Sequence, residues 1–201
     1  MNDIISESND IFNTLDKWTA VYEINQQIPA IIDRWLTIGA EALREDFESN
    51  PSQGWQCYHW GSKRDSRWYL ADMGLHSVSF GFGWPEFEFH LFLENGNSFD
   101  WQKAIDVLAE PEFEPLLLLF GGYHSNTPYR SKDGSLCSDR SFNPFSDTSD
   151  QILRQRIIAW HAAHDKDHFI KTMSKQVRQI TDDTTITGLI CQLNHRSKRD
   201  A

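Results

Sequence analysis

Cysteine is scarce, and its three occurrences, Cys57, Cys137 and Cys191, are widely spaced with no CxxC pair. An odd number at such spacing makes no case for a disulfide framework or a zinc knuckle. Long apolar runs are missing too: the longest, Leu116 to Phe120, falls far short of the ~20 residues a membrane-spanning helix requires. The N-terminus, MNDIISESND, has neither the basic nor the apolar segment of a secretory signal, so the expected location is the cytoplasm. There is no GxSxG elbow, no GxxxxGK(S/T) loop and no GxGxxG opening a helix. These gaps lower the weight of the common enzyme classes, and no cofactor is expected.

Aromatic rings and acid are plentiful. Hydrophobic residues make up 39% of the 201 positions, and eight Trp, thirteen Phe and five Tyr concentrate that apolar surface in large side chains. Disordered chains are poor in such rings, and the length suits one domain with a sizeable core. The formal net charge of −10 is unevenly spread. Residues 1–50 hold ten acids against three bases, residues 51–150 fourteen against seven, and residues 151–201 five against nine. An acidic body lacks the clustered Lys and Arg that phosphate contacts need, which argues against direct nucleic-acid binding. The same charge steers the chain toward basic surfaces, so the expected partner is another protein that presents one. The basic end, HRSKRD, reads as a disordered, solvated tail.

Local signals run in the order helix, strands, helix, loop, helix. Ser8 or Asn9 caps a helix near 10–26; Pro29, suited to a first turn, opens a second one in which Ile28, Ile32, Trp35 and Leu43 recur at helical spacing. The cluster SNPSQG breaks the pattern, and WQCYHW and SRWYLA, joined by GSKRD, read as an aromatic-rich hairpin. Ser98 or Asp100 caps a short helix, while the type of LLLLF at 116–120, helix or strand, is left open. Thr148 and Gln151 form a capping box for a last helix over about 149–180.

The stretch HSVSFGFGWPEFEFHLFLE, residues 76–94, alternates strictly. A turn at Trp84 and Pro85 pairs Phe82 with Phe87, Phe80 with Phe89 and Val78 with Leu91 on a core face. The other face then pairs Gly83 with Glu86, Gly81 with Glu88 and Ser79 with His90. Three readings of that face compete. It is a solvated outer sheet face, or a groove where glycine lets a partner's backbone or ring lie flat. The third is an active site in which Glu86, Glu88 and His90, with His124, hold a divalent ion or divide acid and base roles. A restriction-type nuclease would want a Lys after the acids, and none follows Glu88.

Residues 121–148 read as a long loop of the kind that carries function, with Tyr123, His124, Asn126, Tyr129 and Arg130 as candidates for contacting a partner beside Glu86 and Glu88. In the last helix, WHAAHDKDHF sets His164 and His168 at i and i+4, a spacing of helical zinc sites, with His161 on the same side. The Glu of HExxH is missing, three ligands from one helix rarely converge on one ion, and Lys171 and Lys175 would oppose its charge. Metal binding is not favoured, and the histidines read as a half-exposed or partner-facing stripe.

These signals predict a single α+β domain over residues 1–180, with an antiparallel sheet of four or five strands, N-terminal helices packed on one face and a long C-terminal helix. Helices are expected at about 10–48, 99–110 and 149–180, the sheet at about 55–94, and a C-terminal extension at 181–201. The expected function is that of a small acidic interaction protein, most concretely an inhibitor covering the basic surface of a nucleic-acid-handling complex. Its rivals are a metal-dependent hydrolase or nuclease using Glu86, Glu88 and His90, and a small-ligand module with an aromatic pocket. Nothing in the sequence speaks to oligomeric state.

Overall fold

The computed structural model describes residues 12–60, 65–83, 88–93, 98–122, 135–139 and 142–199. Helix α1, Leu15–Ser49, begins where the Thr14 hydroxyl accepts from the Lys17 backbone N–H at 3.3 Å, and it stops just before Pro51. The expectation of two helices divided at Pro29 gives way to one that runs through it. An interior proline costs about 3 kcal/mol through its missing N–H and its clash with the preceding turn. Downstream packing offsets that cost, since Ile32, Leu36, Leu43 and Phe47 of the same helix are buried in the core. The proposed caps Ser8 and Asn9 lie outside the described residues.

Strands β1 (Trp55–Trp60), β2 (Asp65–Leu70), β3 (Ser79–Gly83), β4 (Glu88–Phe92) and β5 (Ser135–Asp139) form one antiparallel meander in sequence order. The alternation of β3 and β4 holds, but their register is displaced by two residues. Phe82 faces Phe89, Phe80 faces Leu91, Gly81 faces His90 and Gly83 faces Glu88. Residues 84–87 therefore connect the strands in place of a two-residue turn. A displacement of two leaves every side chain on its own face, so the hydrophobic pattern does not distinguish the two registers. Strand β5 arises inside the segment read as a continuous loop, where SLCSD pairs along β4 and buries Leu136 and Cys137.

Asp100 caps helix α2, Trp101–Leu108, its carboxylate accepting from the Gln102 and Lys103 backbone N–H groups. LLLLF resolves as the end of a helix and the turn after it: α3 spans Glu114–Leu118, Pro115 occupies its first turn, and Leu116 and Phe120 are buried. The single helix expected over 149–180 is two, α4 (Gln151–His164) and α5 (Lys166–Thr181), broken at Asp165 with φ −137° and ψ 56°. Asp150, rather than Thr148, caps α4 by accepting from Ile152 and Leu153. The supposed extension contains helix α6, Thr184–Arg196, capped by Asp183 and burying Ile186, Leu189, Ile190 and Leu193. Beyond it Ser197 accepts from the Asp100 N–H at 2.8 Å, Lys198 bridges Phe99, and Arg196 binds Glu110 and Glu112. The basic end is held down through residue 199, because its apolar helix precedes its charges.

Helices lie on the phenylalanine side of the sheet. There α1 packs on β1 and β2, with Phe47 edge-on to Trp68, while Trp68 stacks on Phe80 at 5.7 Å and Phe89 on Phe120 at 5.0 Å. Helices α4 and α5 also pack along α1, with Ala162 and Phe169 close against Gly39. The chain is thus a single α+β domain, and no described helix is long and apolar enough to cross a membrane.

Candidate functional site

The polar side of the sheet is the first place to test. Strand pairing brings Arg67, Gly81, His90 and Ser138 into one row across β2 to β5, with Gly83, Glu88, Phe92 and Ser135 beside it. Close approach explains both glycines. A Cβ on Gly81 would sit 2.0 Å from the Ser66 carbonyl oxygen, and one on Gly83 would sit 2.9 Å from Cδ2 of His90. The close neighbours are the domain's own strand and imidazole.

That imidazole is tightly placed. His90 Nδ1 lies 3.0 Å from Ser135 Oγ, Nε2 lies 3.5 Å from Glu88 Oε2, and the ring stacks on Phe92 at 5.0 Å. The Arg67 guanidinium lies 3.7 Å from the centre of the same Phe92 ring. With its proton on Nε2, His90 donates toward Glu88 and accepts from Ser135, so hydroxyl, imidazole and carboxylate form one polar chain. Acyl-transfer enzymes use these three groups with the ring nitrogens exchanged. Here Ser135 is 1% exposed and Arg67 4%, which leaves the hydroxyl closed to a substrate. A solvated outer face was one expectation for these residues, and the burial of Arg67, Phe92, Ser135 and Ser138 corrects it. Glu86, Tyr123, His124, Asn126, Tyr129 and Arg130 lie outside the described residues. Sequence reasoning missed Arg67 and Ser135; the one available signal was that a bulky cation needs a glycine opposite, as Gly81 provides.

The histidines of WHAAHDKDHF form the second place. Because the helix breaks at Asp165, His164 and His168 do not share a face. His164 stacks on Trp160 at 5.4 Å, meets Trp35 edge-on at 4.7 Å, and its Nδ1 lies 3.1 Å from the Trp160 carbonyl oxygen. His161, Asp165 and His168 instead converge, with one ligand atom of each within 4.8 Å of the others. Asp165 replaces His164 in the cluster that the sequence suggested. The signal for it was an Asp at a junction between two helical segments, where such residues cap and interrupt helices.

The third place is the N-terminal half of α1, which the sequence marked as amphipathic. Trp18, Val21, Tyr22 and Asn25 precede Leu36, Gly39, Ala40 and Leu43 by eighteen residues, five full turns, and so continue the buried stripe in phase. Yet Trp18 is 56% exposed, Tyr22 59% and Ile24 59%. A groove of about 250 Å³ runs along this stretch, lined by Trp18, Val21, Tyr22, Ile24, Asn25 and Ile28. The domain thus presents an apolar helix face beyond its own core.

Comparison with protein-family models, with curated proteins and with solved structures finds no match to this chain.

Proposed function

We propose that this chain is an acidic interaction protein that docks through the N-terminal half of α1 on a basic surface of another macromolecule and modulates it, most concretely as an inhibitor of a nucleic-acid-handling complex. The exposed Trp18–Tyr22 stripe, which half-buried Ile28 joins to the core, carries the reading. Residues 15–28 are fourteen in number, are largely exposed, and end at a proline. They extend a helix anchored in the core, so burying their apolar face on a partner would add stability to a segment that otherwise stands in water. Each large apolar side chain it buries contributes about 1.5–3 kcal/mol.

Charge selects the kind of cover. Residues 12–50 hold seven acids against three bases, and the chain carries −10 in all. A second copy would bring like charge to the contact, whereas a basic surface is attracted to it. The apolar stripe then supplies affinity, and the surrounding acids supply steering and salt dependence.

The test is titration of the protein against purified nucleic-acid-handling complexes freed of nucleic acid, at low and at raised salt, with Trp18→Asp as the variant. Expected are binding that weakens steeply with salt and a loss of at least about tenfold in Trp18→Asp, whose position outside the core leaves the melting curve unchanged. Affinity indifferent to salt, or equal in the variant, would refute the reading. So would a concentration-dependent dimer abolished by Trp18→Asp, which would assign the stripe to self-association.

A further inference from the structure

We propose that His161, Asp165 and His168 bind a divalent transition-metal ion of the zinc class, which closes the break between α4 and α5. The three residues come from the last turn of α4, the junction and the first turn of α5. A straight helix would set His161 and His168 two turns apart along its axis. The break brings their ring centres to 5.5 Å and their ligand atoms, with that of Asp165, within 4.8 Å of one another.

Two observations independent of this clustering point to a ligand. Asp165 occupies the N-cap position of α5, where its carboxylate would ordinarily accept from a backbone N–H of the first turn, yet it makes no such bond. It turns back toward His161 and stands 3.4 Å from Nδ1. That Nδ1 is buried and finds no hydrogen-bond partner among the described residues, even with the carboxylate so near. A buried ring nitrogen left without a hydrogen bond is costly, and an ion between it and the carboxylate would satisfy both. A simple His–Asp ion pair would not account for the approach of His168.

The spacing suits the ion. Bonds of about 2.0–2.1 Å in a tetrahedron put neighbouring ligand atoms roughly 3.3–3.4 Å apart, the separation already found between His161 and Asp165. His168 is exposed and free to swing inward. Phe145 stacks on His161 at 4.5 Å and meets His168 edge-on at 5.6 Å, which fixes one imidazole and walls one side of the cluster. Two imidazoles and a carboxylate favour zinc or cobalt over magnesium or calcium, which prefer all-oxygen shells. Water completes the fourth position from the open side. Lys166 and Lys171 are exposed, so solvent and salt screen their charge. The site is remote in sequence from the α1 stripe and does not rest on the docking role.

The experiment is calorimetric titration of the full chain with Zn²⁺, with visible absorption of the Co²⁺ form, for the wild type and for His168→Ala, Asp165→Asn and His164→Ala. Expected are one equivalent of Zn²⁺ and the absorption of four-coordinate Co²⁺. His168→Ala and Asp165→Asn should weaken Zn²⁺ at least about 100-fold, the upper end for loss of even an outer-sphere partner. His164→Ala should bind as the wild type does. His168 and Asp165 are not core residues, so circular dichroism of both variants is expected to match the wild type. No stoichiometric binding at micromolar Zn²⁺, or equal binding in wild type and His168→Ala, would overturn the proposal.

Discussion

Replacing Asn194 by Ala tests whether the C-terminal helix is part of the domain. Asn194 is fully buried; its side-chain oxygen accepts from the Val78 backbone N–H at 2.8 Å, and its amide donates to the Ile190 carbonyl at 3.0 Å. Val78 stands at the entry to β3 and is itself fully buried, so water cannot replace the lost acceptor. An orphaned buried N–H costs about 1–3 kcal/mol, and the void left by three heavy atoms adds up to about 1 kcal/mol. The Ile190 carbonyl, inside α6, keeps its helical environment and adds little. The expected loss is therefore about 1–4 kcal/mol, read as a lower urea midpoint at constant slope. Amide exchange should report the same event locally, with Val78 losing protection beyond the global change. A loss under about 0.5 kcal/mol with Val78 still protected would refute the reasoning and return residues 184–196 to the status of an appendage.

Two further perturbations follow from titrating groups. The Lys103 N–H holds the Asp100 carboxyl below its ordinary value with help from that of Gln102, and the Arg196 guanidinium does the same to Glu110. Both folded values are depressed, so the stability these groups contribute is present above about pH 4 and is lost as pH falls through the lowered values. Urea midpoints measured down to acid should show that loss, and Asp100→Asn, which keeps the cap acceptor without the charge, should flatten it; an unchanged slope would count against the cap. Burial, assisted by Glu48, pushes the Cys57 thiol from 9.0 up to about 12. Iodoacetamide at about pH 8.5 should therefore modify the half-buried Cys57 much more slowly in the folded protein than after unfolding. The neutral thiol's contribution is fully present below pH 9 and is lost as pH climbs toward 12, and modification of native protein at the rate of a free thiol would sink the assignment.

Faces were legible in the sequence where register was not. The phenylalanines of FGFGWPEFEFHLF assign each residue to core or polar side, but they are satisfied equally by registers two residues apart. Turn length decides between them, and WPEF carries no Asn-Gly or Asp-Gly pair to announce it. Pro29 misled for a related reason. Its local preference for a first turn is genuine, but the burial of Ile32, Leu36, Leu43 and Phe47 holds the helix together across it. At the other end, HRSKRD looked solvated because its charges are obvious, whereas the contacts that pin it are Ser197 and Lys198 with residues almost a hundred positions earlier.

The candidate sites were legible to the extent that their geometry stays within one regular element. The spacing of His164 and His168 means a shared face only while the helix continues, and Asp165 ends it; one broken residue exchanges His164 for a carboxylate and turns an implausible three-histidine set into a compact cluster. The α1 stripe shows the opposite limit. Its period says that one face is to be covered, and Trp18 is in phase with Leu36, but periodicity is silent about whether the cover belongs to this chain. Burial supplies that answer: Leu36 is wholly enclosed and Trp18 is more than half exposed. The same helix therefore packs into the core with one half and exposes an apolar face on the other, the face to which the proposed docking role is assigned, and Pro29 stands close to the boundary. The proline there removes one N–H and crowds the turn before it, and the burial of Ile32, Leu36, Leu43 and Phe47 carries the helix across it. On the proposed docking role, amide exchange over residues 15–28 should slow when the wild type binds its partner and stay unchanged in Trp18→Asp; equal slowing in both would refute the assignment of this face.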